Sequence, residues 1–305
     1  MTALTAGRAP KVSGARASDG TGVAPRRLGL HVFLSAVSLL WLAPLLLAVY
    51  ASLRPYQETA KYGYFSWPRH LSFDYYREAF TQSGMAQHFL NTLLIAVPAV
   101  LLTLFFASFV AFCIARVRIR GGFLILILFT AGNLLPPQVM VTPVYELFTR
   151  VPLPYWMSDS LTMYDSYWGV IAIHVAFQTG FCVFVMTNFM KALPEELREA
   201  AIVDGAGVWT QFWRITLPLC RPALAALATL EFAWIYNDFL WALVLMSSGD
   251  KMPVTSALNN LKGQYFQDYN LLAAGSVLVA LPTVILFFIL QRHFIAGLTL
   301  GATKG

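Results

Sequence analysis

Glu231 and Asp238 stand seven residues apart inside the apolar run Pro222–Met246. Seven residues are two helical turns, so a helix would carry both carboxylates on one face. A carboxylate near the middle of a bilayer costs about 2.5–3.5 kcal/mol on insertion scales, so it must face protein or a water-filled cavity. The pair suits coupling to an ion, contact with a polar solute, or hydrogen bonding between helices. Asp238 also lies toward one end of its run, where solvation alone would account for it. Asn91, Asn133, Gln178, Asn188 and Asn237 occupy similar apolar surroundings, and Trp241 adds an aromatic face. Enzymatic and metal chemistry lack their patterns: G-x-x-x-x-G-K-[ST], H-E-x-x-H and G-x-S-x-G are all absent. His31, His70, His88, His174 and His293 are scattered, and His174 reads as a hydrogen-bonded packing residue. Cys113, Cys182 and Cys220 are odd in number and lack C-x-x-C spacing, so they read as small apolar fillers.

The elements that must position these groups follow from composition. The chain has 305 residues, 58% hydrophobic and 12% charged, against about 25% charged in a soluble domain. Its mean hydropathy is +0.62. A span needs about 20 mostly apolar residues. Six stretches qualify: Leu28–Leu53, Phe89–Ala115, Phe123–Val141, Trp168–Met190, Pro222–Met246 and Leu271–Leu290. They are too long and uniform for barrel strands. The third is interrupted by Asn133, Pro136 and Pro137. The expectation is an all-α polytopic membrane protein with six transmembrane helices, residues 28–305, behind a disordered cytoplasmic tail over 1–27 rich in Ala, Gly, Ser and Arg.

Basic residues set the orientation. One set of span ends carries Arg8, Lys11, Arg16, Arg26, Arg27, Arg116, Arg118, Arg120, Lys191, Arg198, Arg214, Arg221, Arg292 and Lys304. The other carries half as many: Arg54, Lys61, Arg69, Arg77, Arg150, Lys251 and Lys262. The richer side is the cytoplasm by the positive-inside rule, which puts both termini inside. "RRLGLHVFL" superficially suits an export signal, but the run behind it is long enough to span, so it reads as an uncleaved anchor. The basic residues are not interleaved with aromatics, so the pI near 9.3 does not indicate nucleic acid. The outside loops Arg54–Phe80 and Val151–Trp168 are rich in Trp, Tyr and Pro, which suits an interfacial aromatic belt or a docking face.

The polar stretch "PEELREAAIVDGAGVWTQFWRITLP", Pro194–Pro218, fills a cytoplasmic loop over 191–221. Pro194 suits the first helical position, and Glu195 and Glu196 favour the positive end of the dipole. Leu197, Ala200, Ala201 and Asp204 fall near one face, and Glu195, Arg198 and Ile202 near another. Gly205 and Gly207 break the helix. Trp209, Phe212 and Trp213 then suit a short amphipathic helix at the membrane interface.

This stretch resembles the EAA signature of type I ABC-importer permeases. Glu199-Ala200-Ala201, Gly205, Ile215, Leu217 and Pro218 fill every fixed position at the expected spacing. "FLNTLLIA", "LLPPQVMVTPVYELF", "YNDFLWAL" and "GLTLGATKG" are similar to the carbohydrate branch, specifically the second permease subunit of maltose-type importers. Arg150–Trp168 is longer than usual there.

The resemblance implies a non-catalytic transport subunit of a prokaryotic inner membrane. Its partners would be a second permease, a cytoplasmic ATPase dimer that holds the ATP and Mg, and an extracytoplasmic sugar-binding protein. No cofactor would bind this chain. Glu199, with Leu197, Ala200, Ala201, Asp204 and Gly205, would form the coupling helix in a cleft of the ATPase. The cargo would be a saccharide, with Asn91, Asn133, Gln178, Asn188, Glu231, Asn237, Asp238 and Trp241 as candidates for its path. A polyol, a glycerol-phosphate compound or a peptide remain alternative cargoes. The spans hold no basic residue for a phosphate, which favours a neutral solute. An ion-coupled secondary transporter would use Glu231 and Asp238 but would leave the signature unexplained.

Overall fold

The computed structural model describes residues 25–117, 119–261 and 268–299. The expected tail lies outside them up to residue 24, as do Arg118, Lys262 and Lys304. The chain separates into a unit ending at Leu47 and a unit from Ala48 onward. The first contains most of α1 (Pro25–Ser52), an unbroken helix through the expected first span.

The second unit is helical, and its described residues hold no strand beyond one bridge between Pro152 and Thr162. Short helices α2 (Tyr56–Tyr62) and α3 (Asp74–Gln82) lead into α4 (Met85–Phe112), which ends in a π-helical turn over Cys113–Val117. Next come α5 (Gly122–Gly132), α6 (Pro137–Arg150) and α7 (Tyr167–Ala192). The chain continues with α8 (Glu196–Val203), α9 (Val208–Thr210), a π-helical turn over Gln211–Thr216, and α10 (Leu217–Leu219). It ends with α11 (Arg221–Tyr236), α12 (Leu240–Leu245), α13 (Val254–Ala257) and α14 (Tyr269–Thr299). Among the described residues, four helices are long and apolar enough to cross a membrane, or up to six if each bent pair is one span.

Two expected spans differ from continuous helices. The third is the pair α5 and α6, bent by 97°. Pro136 and Pro137 cannot continue the α5 ladder, and Pro137 instead starts α6. The fifth stops at Tyr236. Asn237 donates to the Ala233 carbonyl at 2.7 Å. The Asp238 carboxylate accepts from the Trp241 N–H at 3.2 Å and the Ala242 N–H at 3.4 Å, capping α12. Short polar side chains that bond the nearby backbone compete with a helix in this way. Asp238 therefore does not share a helix face with Glu231.

The core is built on α4, α7 and α11, which pack on one another pairwise. Ala96, Ala99, Ala107 and Ala111 of α4 are fully buried and recur on one face. Small residues let membrane helices approach closely. One buried cluster joins that face to Val170, Ile171 and Ile173 of α7, Ile235, and Ala242 and Leu245 of α12. A second joins it to Cys182, Val183, Met186 and Met190, with Phe212 and Leu227.

Two buried charged groups organise the loops at the end of the unit where α4 and α7 begin. Arg54 is fully buried; it pairs with Glu58 at 2.9 Å and donates to Ser66 at 2.7 Å and the Tyr64 carbonyl at 3.0 Å. Glu58 also accepts from the backbone N–H of Arg69 and of His70, each at 3.0 Å. The Arg69 N–H, together with Arg54 and the His70 N–H, outweighs burial and holds the Glu58 carboxyl below its ordinary value of 4.5. Asp165 does the same work for the long loop before α7. Burial disfavours its charge, but the Ser248 hydroxyl and N–H, the Ser247 N–H and Lys251 keep it below its ordinary value. Its own N–H donates to the Leu245 carbonyl at 2.8 Å. The loop is thereby tied to the connection after α12.

Because the Glu58 carboxyl is lowered on folding, its stabilisation is complete above pH 4.5 and is lost as pH falls through the lower folded value. Limited proteolysis of purified protein should show the 55–73 segment opening in that acid range. Glu58→Gln should open it at neutral pH and abolish the acid step; an unchanged pH profile would count against the node.

Candidate functional site

The polar stretch folds as an elbow. α8 begins at Glu196, two residues later than Pro194, with Glu195 as its N-cap. It ends in a Schellman arrangement: the Ala206 N–H donates to the Ala201 carbonyl at 2.8 Å and the Gly205 N–H to the Ile202 carbonyl at 3.0 Å. Gly205 sits at φ +75°, a left-handed conformation that L side chains adopt at a cost of about 1–2 kcal/mol. The Gln211 side chain reaches back to the Ala206 carbonyl at 2.8 Å and locks the corner from the other side. The segment Val208–Leu219 then turns into α11 at 71°.

Contacts with the far ends of α4 and α7 hold the elbow in place. Arg116, in the turn after α4, pairs with Glu195 at 2.8 Å and donates to the Leu193 carbonyl at 3.0 Å. Arg198 pairs with the other Glu195 oxygen at 2.6 Å. Phe212 is buried between Phe109 and Phe112, while Trp209 stacks on Phe109 and Trp213 on Phe105. The aromatic residues expected at a membrane interface thus clamp the elbow onto α4, and Phe212 belongs to the core.

The open face of α8 is neither of the two faces that helical spacing suggested. Ala201 is 5% exposed and turned inward against Phe112, Arg116 and Leu193. Glu195 and Arg198 are engaged with Arg116 and each other. Glu196, Leu197, Glu199, Ala200, Ile202, Val203 and Asp204 are exposed, and Val203 reaches 87%. Glu199 has no charged partner among the described residues. The corner therefore presents three acidic side chains, Glu196, Glu199 and Asp204, beside small and apolar ones.

The intramembrane candidates do not converge on one site. Asn91 is fully buried; it donates to the Asp250 and Met252 carbonyls and accepts from the Tyr167 hydroxyl at 2.9 Å. Glu231 is fully buried between the two core clusters, accepts from the Cys182 thiol at 3.2 Å, and has its second oxygen unpaired. Gln178 likewise has a buried, unpaired oxygen. Trp241 is buried against Phe177. Asp238 caps α12 and stands 3.7 Å from His174 in a small hollow that Thr92 also lines. Asn133, Asn188 and Asn237 are exposed. Asn133 has its amide set into α7: oriented to match its neighbours, it donates to the Phe177 carbonyl at 2.7 Å and accepts from the Phe181 N–H at 2.5 Å. Sequence reasoning missed the pairing of Arg116 with Glu195, 79 residues on, which no local spacing records, and it did not single out Phe181, Phe184 or Trp234 within their apolar runs.

Apolar helices long enough to cross a membrane, with a polar elbow between two of them, fit a membrane-embedded subunit. The chain belongs to the family described as binding-protein-dependent transport system inner membrane component, which it matches over residues 104–299. It is 32% identical over 286 residues to the osmoprotective compounds uptake permease protein GgtD of Synechocystis, covering 92% of this chain and 93% of that one. It is 31% identical over 282 residues to the arabinooligosaccharides transport system permease protein AraQ of Bacillus subtilis, covering 92% and 96%. Its fold matches a chain from the crystal structure of a bacterial ABC transporter that imports alginate, with TM-score 0.75 and 20% identity over 91% of this chain.

Gly205→Ala should strain the corner by about 1–2 kcal/mol. Hydrogen exchange of the Ala206 amide should then quicken by roughly tenfold. Unchanged exchange would show that the Schellman bonds do not depend on this glycine.

Proposed function

We propose that this chain is one of two permease subunits of an ATP-driven importer that moves a neutral saccharide into the cell by alternating access. The single observation that carries the coupling assignment is the elbow: Glu199 exposed on a short helix, locked by Gly205 and seated on α4 through Arg116 and Phe212. A lever must be stiff to transmit force, and this corner is fixed from both sides. A separate ATPase dimer would bind ATP and Mg and grip α8 on its open face, with Glu199 meeting a basic residue there. An extracytoplasmic binding protein would deliver the cargo. Six spans are our reading of four long apolar helices and two bent pairs, and the positive-inside rule then favours the cytoplasmic side for both termini and the elbow.

The saccharide reading draws on relatives named for sugars: AraQ, the alpha-glucoside permease AglG of Rhizobium meliloti, and the diacetylchitobiose permease NgcG of Streptomyces coelicolor. The absence of basic side chains from the expected spans supports a neutral cargo. GgtD favours a second reading, an osmoprotective compound carried by the same machine.

Coupling is tested in cells that express the whole transporter. Glu199→Ala should lower ATP-driven uptake by about tenfold or more, because it removes one partner of an interface charge pair. Uptake should stop on ATP depletion and survive collapse of the ion gradients. Unchanged uptake in the variant would sink the coupling role, and the opposite energy dependence would point to a secondary transporter.

A further inference from the structure

Two adjoining hollows of about 170 and 320 Å³ open beside the break between α5 and α6, with Asn133 and Gly180 as their shared wall. Thr130, Leu134, Phe181, Phe184 and Trp234 complete the larger one, so α5, α7 and α11 all contribute. Its size falls within the roughly 300–1,000 Å³ of small-molecule sites. The floor is fixed: a Cβ on Gly180 would collide with the Asn133 amide and the Phe129 carbonyl. That amide is itself bonded into the α7 backbone.

The walls are aromatic and open. Trp234 is 47% exposed and Phe184 44% exposed. The Phe181 ring leans on Trp234 with centroids 5.4 Å apart, which sets the indole's orientation. The indole N–H has no hydrogen-bond partner among the described residues. The Asn188 side chain, one turn beyond Phe184 on the same face of α7, is exposed and makes no hydrogen bond among the described residues. The Thr130 hydroxyl donates to the Leu126 carbonyl at 2.8 Å and keeps its acceptor capacity. A lipid tail has no use for an indole N–H, an amide and a hydroxyl. A pyranose has: its C–H face packs on an aromatic ring while its hydroxyls take the polar groups.

We propose that this cleft is a saccharide subsite on this chain, with Trp234 and Phe184 as the ring platforms and Thr130, Asn188 and the Trp234 N–H as hydrogen-bonding groups. The inference rests on the saccharide reading above and adds where on this subunit the sugar passes. It places the polar contacts of the path on side chains that face the cleft, while Asn91, Glu231 and Trp241 serve the core.

The test uses the complete transporter in cells and follows uptake of labelled maltotriose, arabinotriose and diacetylchitobiose. Wild type should take up at least one of them; uptake of none would overturn the saccharide reading and this subsite with it. For a sugar that wild type transports, Trp234→Leu should keep assembly with the partner subunits and lower uptake by about tenfold, whereas Trp234→Tyr should stay within about threefold. Phe184→Leu, measured independently, should lower uptake in the same direction even if Trp234→Leu fails to assemble. Wild-type uptake with both leucine variants, or with Phe184→Leu where the other does not assemble, would overturn the subsite while leaving the saccharide reading intact.

Discussion

The close approach of α4 to α7 is the constraint on which the rest of the unit depends. Ala96, Ala99, Ala107 and Ala111 put no bulk on the shared face, so the two helices pack along much of their length. In lipid there is little hydrophobic gain in bringing two apolar helices together, and close packing with interhelical hydrogen bonds must supply the association. α11 then lies against both, and α5 and α12 against α7. Each polar feature is referenced to this frame.

At one end of the frame, Asn91 and Asp165 tie the helix starts to the loops that follow α12, and Arg54 with Glu58 organises the segment before α3. At the other end, Arg116 and the Phe109–Phe212–Phe112 stack seat the elbow on α4. A displacement imposed on α8 would therefore reach the helices through an ion pair and packed rings, with no slack polar linker between. Between the two ends sits Glu231, its thiol partner on α7 holding α11 in register. A fully buried carboxyl with one unpaired oxygen is costly.

Much of this was legible beforehand because a membrane enforces it. Backbone groups in hydrocarbon must be satisfied within a helix, so apolar runs of sufficient length announced the helices and their approximate limits. The elbow was legible from Gly205 and from the Glu199–Pro218 spacing. The course of the fifth span was not, since Asn237 and Asp238 fit a helix by spacing and break it through bonds to the nearby backbone. The inward face of α8 was hidden for a similar reason: Ala200 and Ala201 are chemically alike, and only the position of Arg116 and Phe112 decides which one is covered.

The sequence by itself determined the solvent, the helical class, the position of the polar corner and its membership in a signature. Those properties reside in runs and spacings, which are local along the chain. The tertiary structure alone decided which polar groups are satisfied by the protein and which stay open. Asn91 and Asn188 are the same residue in similar apolar surroundings, yet one is consumed by loop carbonyls and the other stays exposed. The difference lies in what the neighbouring helices bring within about 3 Å, the reach of a hydrogen bond, and no one-dimensional pattern records it.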